Sequence, residues 1–255
     1  MRLASILLAA SAAVVLSACE RGTSTPSGVR MIDLGHALAA TDPSWDGPPG
    51  FERHVVATYE KDGYTAGQIT VEEHFGTHLD APSHFSKTGW TVDAIPVDRL
   101  NRPAVVVDVS AKAAQDADYR VTVADIQALE AKVGSIPEGT VVLIATGWDR
   151  FWPDRARYMN EKSGVKHFPG LSAEAVGYLA KERRVAGIGI DTASIDYGPS
   201  TKFEAHAVSM AQNVYHIENA TGLTTLPSSG FRVIVAPIKI AGGTGGPTRI
   251  FAVLP

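Results

Sequence analysis

His74-Phe75-Gly76-Thr77-His78-Leu79-Asp80-Ala81-Pro82-Ser83-His84 is the stretch from which the rest of the chain is best read. It gathers three of the chain's eight histidines and one carboxylate into a single short run. Neutral imidazole and carboxylate form a borderline-hard donor set that suits zinc or manganese. Gly76 permits a tight backbone turn, so His74 and His78 can converge on one point. Asp80 lies two residues beyond His78 and can share a face with it, on a side chain short enough to be held rigidly. Pro82 prevents a long helix and turns His84 back towards the same point.

Outward from this cluster the pattern is that of a mixed α/β or α+β domain. Upstream, Met31–Leu38 reads as an opening strand and Thr41–Gly50 as a Pro/Gly-rich loop carrying Trp45. His54–Tyr59 and Thr65–Val71 alternate around Lys61-Asp62-Gly63, a hairpin signal. Downstream, Ala104–Val109, Thr140–Thr146 and Val185–Ile190 are apolar runs expected of strands buried on both faces. Thr122 and Ser172 are placed to cap helices, the first running through Asp125, Ile126, Leu129 and Val133. Phe231–Ile240 and Arg249–Leu254 close the chain as strands. The chain has 255 residues and a net charge of -4, with no basic tract beyond Lys181-Glu182-Arg183-Arg184, which reads as a solvated helix end. Nucleic acid is therefore not an expected partner.

The N-terminus reads as a targeting segment. Arg2 precedes an apolar run, Leu3–Leu16, that is short for a membrane span and suits a signal peptide. Leu16-Ser17-Ala18-Cys19 resembles the lipobox of bacterial lipoproteins, which would make Cys19, the sole cysteine, the lipidated residue. Residues 1–18 are thus expected to be a lipoprotein signal, 19–28 a flexible tether and 29–255 a single domain, exported to the cell envelope.

Residues 74–84 match, at every specified position, the signature His-x-Gly-Thr-His-x-Asp-x-Pro-x-His of the cyclase family of metal-dependent hydrolases, which has arylformamidase-like and isatin hydrolase-like members. The resemblance spans about Met31 to Leu254. It takes in Ile32-Asp33-Leu34 with the loop Trp45, the segment Gly189-Ile190-Asp191-Thr192-Ala193-Ser194-Ile195-Asp196, similar to the family's Asp-Thr-x-Ser segment, with the later His206, and the pair Glu218-Asn219, after which Ala220 stands where Leu is common. It implies a single swivelling β/β/α domain. It implies His74, His78 and Asp80 as metal ligands, His84 as the proton-transfer residue, and His206 with Glu218 as ligands of a second metal. Formamidase-like members suggest two ions and isatin hydrolase-like members one manganese. Homo-oligomers are also implied. Trp45 is expected to lid the substrate pocket. Asp33, His36, His54, His167 and His216 read as structural or surface groups.

Such a site can activate water at neutral pH and polarise a carbonyl. The implied reaction is hydrolysis of the C–N bond of a small, aromatic amide, linear or cyclic. No Gly-x-Ser-x-Gly elbow offers a serine route to the same chemistry. The rival expectation is a non-catalytic lipoprotein that binds a metal or small molecule.

Overall fold

A computed structural model describes residues 28–255. The expected signal segment, Cys19 and nearly all of the tether lie outside the described residues. The chain enters through β1 (Arg30–Asp33). This strand is shorter than its apolar pattern suggests because side chains take over the backbone donors: Gly35 N–H donates to Asp33 Oδ1 and His36 N–H to Thr77 Oγ1. A hairpin follows, β2 (Phe51–Ala57) against β3 (Ala66–Val71). Its connection is a helical turn, α1 (Tyr59–Asp62), ended by Gly63 at φ 74° in the left-handed region. The short β4 (His78–Asp80) comes next.

The middle of the chain alternates as its periodicity predicts. In order come β5 (Asn101–Asp108), α2 (Ser110–Ala113), β6 (Arg120–Val121), α3 (Val123–Val133), β7 (Val141–Ala145), α4 (Arg155–Met159), β8 (Gly170–Leu171), α5 (Ala173–Gly177) and β9 (Gly187–Ile190). Thr122 caps α3 in a capping box with Asp125, and Ser172 caps α5 by accepting from Ala175 N–H. After α5 the helix widens into a π-helical turn, Tyr178–Glu182. The Lys181–Arg184 end is largely exposed, as expected, and within it Arg183 forms a two-pronged pair with Glu130 of α3, at 2.6 and 3.1 Å. Then come α6 (Glu204–Met210), β10 (Tyr215–Glu218), β11 (Phe231–Pro237) and β12 (Gly245–Leu254).

The main sheet closes on itself. Its order is β1-β12-β11-β5-β7-β9-β10-β4, and β4 also pairs with β12. The ten-residue β12 makes this possible: Gly245–Pro247 pair with β4, while Phe251–Leu254 pair with β1. Strands β5, β7, β9 and β10 run parallel, and β4, β11 and β12 complete the ring antiparallel. Alternate residues such as Val106, Leu143, Ile217, Leu79 and Val233 fill one cluster inside the ring. The others, including Val105, Val107, Ile144 and Ile188, pack against Ile126 and Leu129 of α3 and Val176 of α5. Burial on both faces is why these strands read as continuous apolar runs. Each such Leu or Ile contributes about 1.5–3 kcal/mol through burial. The architecture is the expected mixed α/β domain, with a closed β-barrel at its core.

Candidate metal centre

Period-two alternation builds the floor of the site. Leu79 of β4 and Ile217 of β10 point into the barrel, so His78, Asp80, His216 and Glu218 project from the opposite face. The strands are antiparallel in a register that sets Asp80 opposite His216 and His78 opposite Glu218. Directly opposed residues stand about 4.5–5.5 Å apart at Cβ, so four chelating side chains share one patch. Gly76, at φ 61°, makes the turn into β4; a Cβ there would meet Leu38 Cδ2 at 2.3 Å. Gly245 lets β12 approach closely, for a Cβ there would meet His74 Cε1 at 2.6 Å.

Helix α6 closes over this patch and delivers His206. Asp196 fixes it there: Oδ1 accepts from Ala205 N–H, and Oδ2 accepts from the His206 ring Nδ1 at 2.6 Å. Four of the five residues expected as ligands are buried, and His74 is partly buried. His74 Nδ1 lies 2.6 Å and His78 Nε2 3.0 Å from Asp80 Oδ1, and His78 Nε2 lies 3.5 Å from Glu218 Oε2. On the other side, His206 Nε2 lies 3.4 Å from Asp80 Oδ2 and 3.3 Å from Glu218 Oε1. Each carboxylate thus offers one oxygen to each of two imidazole sets.

The residues fit a divalent cation. Donors bonded at about 2.0–2.1 Å in tetrahedral array are about 3.3–3.4 Å apart, close to most of these separations. The imidazoles are also aimed correctly. His78 Nδ1 donates to Gly76 O and His206 Nδ1 to Asp196, which leaves each Nε2 lone pair facing the carboxylates. Thr244 Oγ1 gives its one proton to Glu73 Oε2, so it accepts from His74 Nε2–H and leaves Nδ1 facing Asp80. The electrostatics agree: burial opposes charge on His78, yet the Asp80 and Glu218 carboxylates raise it to about 9. His206 is likewise raised, against burial, by Asp196, Asp80 and Glu218. The cluster is an environment that demands positive charge.

A cavity of about 390 Å³ opens onto this centre. Its apolar walls include Trp45, Phe85, Met159 and Phe203. Trp45 sits edge-on to Phe168 with its ring centroid 6.0 Å from that of Phe203, at the border of the cavity. His84 stacks on His74 with centroids 4.0 Å apart, and burial lowers its pKa to about 4 although Asp80 opposes this. Asp191, in the segment after β9, does not line the cavity. It ties the strand ends by accepting from Thr146 N–H and Gly147 N–H, and burial raises it to about 7.

Several residues of the site escape a reading by sequence. His216, expected to be a structural or surface group, is fully buried beside Asp80. Its signal was the same period-two spacing that marks 78–80, repeated as His-x-Glu at 216–218. Glu73 and Thr244 are brought to the site by long-range packing and carry no local signal, whereas Asp196 ends the Gly189–Asp196 segment on which the family resemblance partly rests. His167 pairs with Asp118, His54 with Glu52 and Asp33 with Arg249, and His36 stacks on Trp152.

Comparison with known proteins shows the family. The family model Cyclase ("Putative cyclase") matches residues 32–197, more than half of the chain. The isatin hydrolase of Roseibium aggregatum is 32% identical over 245 residues, covering 89% of this chain and 92% of the relative. A kynurenine formamidase of Salinibacter ruber is 26% identical, covering 86% and 95%. The solved isatin hydrolase A of Ralstonia solanacearum superposes with a TM-score of 0.85 at 31% identity, covering 97% of this chain and 100% of that one. By signature, fold and overall likeness, the chain belongs to the cyclase family of metal-dependent hydrolases.

Proposed function

We propose that this protein hydrolyses the C–N bond of a small aromatic amide at a divalent metal held by His74, His78 and Asp80, with Asp80, His206 and Glu218 able to hold a second ion. The observation that carries the reading is the pairing of a two-sided carboxylate–imidazole cluster with His84 in one apolar-walled cavity. A bound divalent cation would lower the pKa of water towards ~7 and polarise the amide carbonyl. The protein's own groups do the rest. Trp45, Phe85 and Phe203 give a flat ring an apolar seat, and the volume falls within the ~300–1,000 Å³ usual for small-molecule sites. His84, at the cavity wall and stacked on His74, takes a proton from the attacking water and delivers it to the departing nitrogen. One water is consumed: its oxygen joins the carbonyl carbon, the C–N bond breaks, and the nitrogen leaves protonated.

The 32% identity to an isatin hydrolase favours a cyclic amide over a linear formanilide. The nitrogen and oxygen donors, with no thiolate, support zinc or manganese. Turnover of isatin, N-formylkynurenine and formanilide, measured with metal content, tests the reading. Bound metal without turnover of any amide would leave a binding protein instead.

Two further parts of the proposal concern its setting. The Leu16-Ser17-Ala18-Cys19 sequence supports an N-terminal lipid anchor on an exported protein, which mass analysis of the mature N-terminus tests. The β2–β3 hairpin supports a homo-oligomer. Val55, Tyr59, Tyr64 and Ile69 are exposed on it, and a two-stranded ribbon is marginal in water by itself. Light scattering that returns a monomer mass would remove that part.

A further inference from the structure

His216 has no task in the scheme above, yet it is sealed at 0% exposure beside the carboxylates. It is not among the residues that line the reactive cavity, so it approaches the cluster from behind. Ser209, on the same face of α6 as His206, fixes its ring. Ser209 Oγ lies 2.8 Å from Ala205 O, one turn back in the helix, and 2.7 Å from His216 Nε2. A hydroxyl has one proton to give. Given to the Ala205 carbonyl, it leaves the oxygen as acceptor, so His216 Nε2 carries the ring N–H. Nδ1 is then a bare lone pair. It is buried, has no hydrogen-bond partner, and faces Asp80 Oδ2 at 3.8 Å. Two lone pairs opposed at a buried site repel, and a cation between them turns the repulsion into coordination.

We propose that His216 is a metal ligand through Nδ1, completing from behind, with Asp80, His206 and Glu218 of the cavity wall, a four-donor centre, and that Ser209 sets its tautomer. One donor atom from each of the four residues lies within 4.8 Å of all the others. Four protein donors fill a tetrahedral set, the pattern of a closed structural site, whereas three donors leave a position open for chemistry. The two ions therefore differ in task. The one at His74, His78 and Asp80 keeps the open position facing the cavity, and the one at His216 holds α6 against β10. This inference rests on the metal reading above but not on the identity of the amide.

The test uses the metal-free full chain titrated with Zn²⁺ alone, with amide turnover measured on the same samples. In the wild type, ¹⁵N NMR of the histidine rings should show Nδ1 of His216 leaving its free lone-pair shift on zinc addition while Nε2 keeps its proton. His216→Asn should weaken one class of zinc sites by about 10–100-fold and spare the class lost in His78→Ala, and Ser209→Ala should mix the His216 tautomers. An Nδ1 shift that zinc does not move overturns the proposal, even where turnover is intact. No zinc bound by the wild type overturns it together with the metal reading. Coordination of His216 without turnover of any amide supports the proposal and removes only the hydrolase reading.

Discussion

At the scale of the residue, the account rests on which atom of each side chain faces the cluster. His84 is stacked on His74 at the cavity wall, so it is placed to move a proton beside the centre. His84→Ala is expected to reduce kcat about 10²–10⁴-fold with metal content unchanged, measured by steady-state kinetics beside elemental analysis. The Glu73–Thr244–His74 chain makes a separate prediction. Thr244→Val removes the acceptor for His74 Nε2–H and should weaken metal binding about 10–100-fold in competition with a chelator, while Thr244→Ser restores it. The candidate ligands within 74–84 were legible in the sequence because they are contiguous and their spacing is itself the chemistry. Thr244 lies 170 residues from His74, and only the closing of β12 onto β4 brings the two together.

At the scale of the element, helix caps and strand periods were legible because they are local. Thr122 caps α3 as its hydroxyl and the following Asp125 imply. What local pattern could not give is how elements are tied to each other. The Lys181–Arg184 end illustrates this: Arg183, still partly exposed, pairs with Glu130, which also accepts from Tyr178 and Ile136 N–H. Arg183 and these hydrogen bonds hold Glu130 down to about 2, well below its ordinary 4.5. A carboxylate depressed in the folded state stabilises the protein above its unfolded pKa. That stability is lost as pH falls from about 4.5 towards about 2. Glu130→Gln should therefore lower stability at pH 7 by about 1–2 kcal/mol and flatten the acid limb of the denaturation profile. Equal acid sensitivity in variant and wild type would contradict the assignment.

At the scale of the whole molecule, the barrel exists to bring distant strands into one register, and the site sits on the outer face of its closing seam. The class of fold followed from alternating apolar runs and helix periods, but closure did not. It depends on three residues, Gly245–Pro247, pairing with β4 across most of the chain, and nothing local in their sequence announces it. Because the centre is made of β4, β10 and α6 together, bound metal should hold the molecule folded. Removal of the ion by a chelator is expected to cost about 2–3 kcal/mol for an ion present near 100 times its Kd, a fall in Tm of about 5–10 °C. Calorimetry with and without added Zn²⁺ or Mn²⁺ checks this. The most direct test of the central claim is metal content measured together with isatin and N-formylkynurenine hydrolysis, with His78→Ala as the control. Bound zinc or manganese and metal-dependent C–N cleavage are expected in the wild type, with the cleavage and the metal of the His74–His78–Asp80 set lost in the variant; wild-type protein that takes up neither ion from excess would contradict the claim.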